Sequence, residues 1–124
     1  MASAGNWFET ARKAHNLRRV DLTTSSTVTT YTAKTGRPAD DFIFDRFITV
    51  TSSSGNNMTI TVPDGVFYGQ RLTVLFEVEA NAETVDVSTT TGDDASQMTG
   101  AGGYSNLEWH GPTIGWCQVS NSAT

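Results

Sequence analysis

The chain has 124 residues, of which 37% are hydrophobic and 17% charged, and its net charge is −5. This length suits one domain whose core needs no metal or disulfide, and the single Cys117 excludes an internal disulfide or a multi-thiolate zinc site. The sequence has no run of about 18 apolar residues and no signal-peptide-like start, so we expect no membrane span and synthesis in the cytoplasm.

Threonine is the most unusual feature of the composition. The chain contains 20 Thr and 11 Ser residues. A flexible linker would be rich in serine, whereas the branched Cβ of threonine suits the half-solvated surface of a pleated strand. The composition therefore predicts β-sheets with faces exposed to water.

The charges are unevenly placed along the chain. Up to Arg46 there are seven Lys and Arg residues against five Asp and Glu, whereas the remainder has only Arg71 against eight. A basic leading segment on an acidic body is typical of docking to an acidic surface or to other copies of the chain. Ordinary solvated charge on a short helix is the alternative interpretation.

Residues 1–20 are the only stretch with helical periodicity. Trp7, Phe8, Ala11, Ala14 (or His15) and Leu17 recur at spacings near three and four residues. A helix this short is marginal in isolation, so we expect either a short helix docked on the body or a neighbour, or an extended arm. The predicted organisation is an N-terminal arm or short helix over 1–20 and a β domain over 21–124.

The body alternates apolar and polar residues with a period of two. Two such runs, 47–51 and 58–62, flank the Ser- and Asn-rich stretch 52–57 and predict a β-hairpin. Further strands are predicted at 72–78 and at Val85 and Val87. A second hairpin, with a tryptophan on each arm, closes the chain; its tryptophans are Trp109 and Trp116.

Together with a threonine-rich run that contains Leu22, Val28 and Tyr31, these runs give at least seven short strands, with turn signals roughly every 8–12 residues. The chain shows no alternation of strands and helices, which argues against a parallel α/β sheet. The sequence therefore predicts an all-β fold, a single antiparallel β-sandwich or jelly-roll-like domain, with the N-terminal arm or short helix attached.

Acidic pairs are the first candidates for catalysis, and their spacing does not favour it. The adjacent acids at 40–41 and 93–94 would point to opposite faces of a strand. Glu77 and Glu79 share a face, as a glycosidase pair could, but nothing in the pattern supplies a cleft.

The remaining candidates for chemistry are few. The two histidines, His15 and His110, are too few for a typical metal site. Cys117 next to Trp116 is typical of a small buried hydrophobic residue, and a Cys117–His110 nucleophile pair would rarely be built on a hairpin. We therefore predict no enzyme activity, no cofactor and no metal, and the acidic body argues against nucleic-acid binding.

The sequence resembles a strand–turn–strand unit of tailed-phage structural proteins. The unit is carried by Met58-Thr-Ile-Thr-Val-Pro-Asp-Gly65 followed by Gly69-Gln-Arg-Leu-Thr-Val-Leu-Phe76, and by the closing Leu107-Glu-Trp-His-Gly-Pro-Thr-Ile-Gly-Trp116. Such domains often contain an "ITLPDG" segment, then "GQR" and an apolar strand. The resemblance covers about 47–119, and the N-terminal segment does not match the pattern.

The resemblance implies a β module on the surface of a phage particle, often as a trimer. A short chain with a basic aromatic arm fits a capsid decoration, or cement, protein that binds the major capsid protein or other virion proteins. The predicted attachment residues are aromatic or basic and precede the body: Trp7, Phe8, Arg12, Lys13, Arg18 and Arg19. The alternative is a receptor- or glycan-binding fibre-tip module, with Tyr104 or Trp109 exposed near Asp93 and Asp94.

Overall fold

A computed structural model describes residues 17–53, 55–93 and 97–122 of the chain. Most of the predicted arm or short helix lies outside the described residues. Its last part, 17–20, forms the first half of a β-strand instead.

The described residues form eight strands and almost no helix, which confirms the all-β class. The strands are β1 (Leu17–Thr23), β2 (Thr30–Thr32), β3 (Phe44–Thr51), β4 (Met58–Val62), β5 (Arg71–Val78), β6 (Val85–Thr89), β7 (Tyr104–Trp109) and β8 (Trp116–Asn121). A 3-10 turn over Pro38–Asp40 precedes β3, and a helical turn over Gly111–Ile114 joins β7 to β8.

Successive strands alternate between two sheets. A five-stranded sheet has the order β1-β3-β5-β7-β8, and a three-stranded sheet has the order β2-β4-β6. The pairs β1–β3, β3–β5, β2–β4 and β4–β6 are all parallel. Between two neighbouring parallel strands of one sheet, the chain passes through one strand of the other sheet. The first six strands therefore wind as three coils of a parallel β-solenoid.

The first three strands of the five-stranded sheet begin at intervals of 27 residues. Strands β1, β3 and β5 begin at residues 17, 44 and 71, and Met58 of β4 pairs with Val85 of β6 at the same offset. In a solenoid each repeat packs only on its neighbours, so stacking builds one continuous core.

The structure does not confirm an antiparallel sandwich or jelly roll, because four of the six strand pairs are parallel. The predicted hairpin of 47–51 with 58–62 is wrong, since β3 and β4 lie in different sheets. The same sequence pattern, a polar turn between two alternating runs, is compatible with a hairpin and with a corner at which the chain passes from one sheet to the other. The second predicted hairpin is confirmed, with Trp109 opposite Trp116.

The core lies between the two sheets and is apolar. Inward residues of β3, β4, β5 and β6 form it, and the tryptophan pair of the closing hairpin seals it with ring centroids 5.5 Å apart. Its fully covered members include Ile48, Val50, Met58, Ile60, Val62, Leu72, Val74, Phe76, Val85 and Leu107. The strand faces that point away from the core carry much of the threonine, as the composition predicts.

Polar corners join neighbouring coils at the edge where the chain passes from the five-stranded to the three-stranded sheet. Thr24 and Ser53 exchange hydrogen bonds between the first and second coils. The Ser52 hydroxyl donates to the Glu83 carboxylate, 2.9 Å away, between the second and third. Side-chain hydrogen bonds therefore add to the backbone hydrogen bonds that join the coils at these corners.

Candidate functional site

Three connections meet at the opposite edge of the two sheets. They are residues 33–43 before β3, 63–70 before β5, and 110–115 between β7 and β8. The pairing of Arg71 with Glu108 places the end of β7 beside the start of β5. We call the surface formed by these three connections the loop edge.

The connection 63–70 is held by buried hydrogen bonds. The Trp116 indole N–H donates to the Pro63 carbonyl at 2.8 Å. The Gln70 side chain accepts the Val66 N–H at 2.7 Å and donates to the Thr35 carbonyl at 2.9 Å. Since buried bonds of this kind are costly to break, the backbone of this turn is fixed.

This fixed turn presents two aromatic side chains to solvent. Phe67 is 50% exposed and Tyr68 is 74% exposed. The Phe67 ring lies 5.7 Å from the Phe44 ring. Tyr68 lies so close to Gly111 that a Cβ there would approach its hydroxyl to 2.5 Å. The two rings therefore connect this turn to the start of β3 and to the connection 110–115.

Phe42 protrudes from the first connection in a strained conformation. Its φ is 58°, and that of Asp41 is 54°. A bulky residue rarely adopts the left-handed region, where the cost is about 1–3 kcal/mol. The turn is enforced by hydrogen bonds from the N–H groups of Phe42 and Ile43 to the carbonyls of Arg37 and Asp40. The strain keeps a 59% exposed aromatic ring at the loop edge.

The exposed apolar side chains of the loop edge form its candidate contact surface. They are Phe42, Val66, Phe67, Tyr68 and Ile114. Aromatic side chains lose little conformational entropy on binding and dominate the energetics of many interfaces. Their display on backbone that is already fixed lowers the cost of ordering at an interface. The arrangement is suited to binding.

The structure separates the predicted attachment residues. Trp7, Phe8, Arg12 and Lys13 lie outside the described residues. Arg18 points inward and binds the fully buried Asp45 carboxylate. Arg19 points outward, where its guanidinium lies 2.8 Å from Asp21 and 3.8 Å from Glu77.

Arg18 belongs to a network that closes the first coil. The Tyr31 hydroxyl donates to Asp45 at 2.6 Å and accepts from Arg18 at 3.0 Å, and the Lys34 N–H donates to Asp45 at 2.9 Å. Burial, with the hydrogen bond to Asp45, raises the pKa of Tyr31 to about 12. Arg18 therefore stabilises the coil, and its side chain remains 36% exposed.

The acids weighed for catalysis have structural contacts. Glu77 is exposed beside Arg19, and the Glu79 carboxylate accepts the Ala82 N–H. Glu108, which was not among those candidates, pairs with both Arg71 and His110, the His110 Nε2 lying 2.9 Å from its Oε1.

The two aromatic residues that were predicted to be exposed in a binding loop are buried or half-buried in the structure. Trp109, expected to be exposed, is 3% exposed and packs in the core, while Tyr104 is half-buried at the other end of β7. The exposed aromatics at Phe67 and Tyr68 were missed. Their signal is the run Val66-Phe-Tyr68 between two glycines, directly after a turn, where an apolar run has no strand to join.

Within 17–53, 55–93 and 97–122, no three His, Cys, Asp or Glu side chains gather where they could hold a metal ion. No helix in these ranges is long and apolar enough to cross a membrane.

The loop edge is interpreted from its geometry alone, because no protein-family model matches the chain and no curated protein matches it.

Proposed function

We propose that the protein is a virion structural protein, a capsid decoration protein that binds the outer surface of a phage head and stabilises it. Its partners are the major capsid protein or neighbouring virion proteins, and its place is the particle surface. The motif resemblance over about 47–119 and the exposed aromatic loop edge support this proposal.

The observation that carries the proposal is the position of Leu17, the first residue of β1. Leu17 pairs with Phe44, and the Phe44 ring contacts Phe67. The segment that holds the predicted anchors Trp7 and Phe8 therefore joins the body at the loop edge.

Two linked attachments strengthen each other. Once one has bound, the other acts at a high effective concentration. The loop edge supplies rigid aromatic contacts, and Arg12 and Lys13 of the leading segment supply charge for an acidic capsid surface. Many copies bound across subunit boundaries would oppose expansion of the capsid.

The proposal is tested by binding the purified protein to phage heads that lack it, using sedimentation. Phe67→Ser with Tyr68→Ser should weaken binding by about tenfold or more, because aromatic anchors carry much of an interface's energy. Deleting residues 1–16 should also weaken it.

Phe47→Ser is the matched control for that experiment. Phe47 is a 46% exposed aromatic on the outer face of the five-stranded sheet, outside the loop edge. The control should bind like the native chain. Equal binding by the Phe67/Tyr68 variant would contradict the assignment of the loop edge.

A receptor- or glycan-binding module is the second candidate. The observation that favours it is Tyr68, which combines an exposed ring with a polar hydroxyl on a fixed turn. A glycan array should then show specific signals that Tyr68→Ser removes. A flat array with the native chain would eliminate this alternative.

A further inference from the structure

The two ends of the solenoid differ in whether further chain pairs with their edge strands. At the C-terminal end, the antiparallel strands β7 and β8 extend the five-stranded sheet, and Met98 bridges to Val85 on the outer side of β6. At the N-terminal end, no strand within the described ranges pairs with the free edges of β1 and β2. Val20 and Leu22 are only half-buried there, whereas Ile48 in the next coil is fully covered.

Among residues 17–53, 55–93 and 97–122, no strand pairs with the outer edge of β1, so its backbone groups there have no partner in another strand. The Thr24 N–H donates to the Thr51 carbonyl in β3 at 3.0 Å, which fixes the direction of alternation along the strand. The backbone groups of Arg19, Asp21 and Thr23 therefore point to the free edge. Exposed edges of this kind are templates for pairing with another strand.

The sequence of β1 is complementary to itself in the antiparallel direction. When a second copy is centred on Val20, Arg19 of each copy lies opposite Asp21 of the other. Both residues are on the solvent face, with side chains 59% and 67% exposed. Their backbone groups point across the edge, so each of these opposed pairs would exchange two hydrogen bonds.

The usual obstacles to edge pairing are absent from the central part of β1. Arg18 points inward, as protective charges on edges do, but the Asp45 carboxylate neutralises it. The bulge of the β1–β3 pair lies between Arg18 and Arg19. Residues 19–23 therefore form a regular strand.

We propose that two copies of the chain pair through their β1 strands, antiparallel and centred on Val20. The contact is isologous and joins the two five-stranded sheets into one. It covers the half-buried Val20 and Leu22 of each copy. Because the two strands run in opposite directions, the loop edges face opposite sides of the pair, and one pair can contact two partner molecules.

A disulfide test examines the register directly, in the full chain with Cys117→Ser. Opposed residues of a non-hydrogen-bonded antiparallel pair have Cα atoms about 4.5 Å apart, within disulfide range. Val20→Cys should therefore form a covalent dimer on mild oxidation. Leu22→Cys is the matched control, since it would lie opposite Arg18 of the second copy and should stay monomeric on denaturing gels.

A charge swap tests the pairing energetically by sedimentation velocity. Arg19→Asp should raise the dissociation constant of the dimer about tenfold or more, because two like-charge pairs then face each other. The double variant Arg19→Asp with Asp21→Arg should restore it. Arg71→Glu is the control. It breaks an exposed salt bridge with Glu108 and should leave the dissociation constant of the dimer unchanged.

Three results would overturn the proposal. They are a monomer at every concentration, a dimer indifferent to the charge of Arg19, and a mass of three chains. A trimer, as the motif resemblance implies, uses a contact between two different surfaces and cannot use this one.

Discussion

At the scale of single residues, the chain contains an acid that is almost fully covered. Glu83 is 1% exposed. Its carboxylate accepts hydrogen bonds from the N–H groups of Gly55 and Asn81 and from the Ser52 hydroxyl, at 2.7 to 2.9 Å. Burial disfavours the charge, but these donors outweigh it and lower the pKa of Glu83 to about 2.

This shift predicts acid sensitivity. A carboxyl group whose pKa falls from 4.5 to about 2 on folding contributes stability above pH 4.5, and that contribution is lost as the pH falls towards 2. Glu83→Gln should lower the urea midpoint at pH 7, because the neutral amide has only one accepting oxygen. It should also flatten the decline between pH 4.5 and 2. Identical pH profiles for the two proteins would contradict the role of Glu83.

Phe42 gives the opposite case, a residue that costs stability. Asparagine is well tolerated in the left-handed region, so Phe42→Asn should raise the free energy of unfolding by about 1 kcal/mol. The same variant should weaken binding at the loop edge. Phe67→Asn is the control for stability, since the φ of Phe67 is not positive and no gain is expected. A lower free energy of unfolding for Phe42→Asn would contradict the claim that the backbone at Phe42 is strained.

At the scale of elements, the positions of most strands could be predicted from the sequence, but only one of the six strand pairs, β7 with β8, could be. Alternation at 47–51 and 58–62 identifies strands β3 and β4, because a half-buried strand has a period of two in any sheet. A corner and a hairpin use the same Ser, Asn and Gly residues. The partner of β3 is β5, 27 residues away along the chain, which local pattern does not reveal.

The turn 63–70 shows how an element carries the candidate site. Gln70 is 4% exposed and bonds two backbone groups, those of Val66 and Thr35. Gln70→Met keeps the volume but leaves both groups without these partners, so the free energy of unfolding should fall by about 1–3 kcal/mol. Hydrogen exchange at the Val66 amide should accelerate.

The matched control for Gln70 is Gln97→Met. Gln97 also makes a side-chain hydrogen bond, to Asp86 at 2.8 Å, but it is exposed. Its replacement should change stability by less than about 0.5 kcal/mol. Equal effects at the two positions would mean that the turn is not held by its buried bonds.

At the scale of the whole molecule, the missed feature is the repeat. The three coils are alike in length and in the alternation of inward and outward residues, but not in residue identity. For example, β1, β3 and β5 begin with Leu17, Phe44 and Arg71. Only their inward positions must be apolar, so the 27-residue period is faint in the sequence. The loop edge was missed for the same reason, because it combines connections from different coils.

One continuous core predicts one unfolding transition. Ile60 lies at the centre of the three-stranded sheet and is fully buried. Ile60→Ala should cost about 2–5 kcal/mol. Circular dichroism and tryptophan fluorescence should still report the same midpoint, since Trp109 and Trp116 pack on that core. Separated midpoints would show that the closing hairpin unfolds independently of the coils.

We propose that this β-solenoid binds as a component of a phage particle. Quantitative mass spectrometry of purified virions whose genome encodes the chain tests it most directly, by counting copies relative to the major capsid protein. A copy number comparable to that of the capsid protein is the predicted result. Absence of the chain from purified virions would contradict the claim.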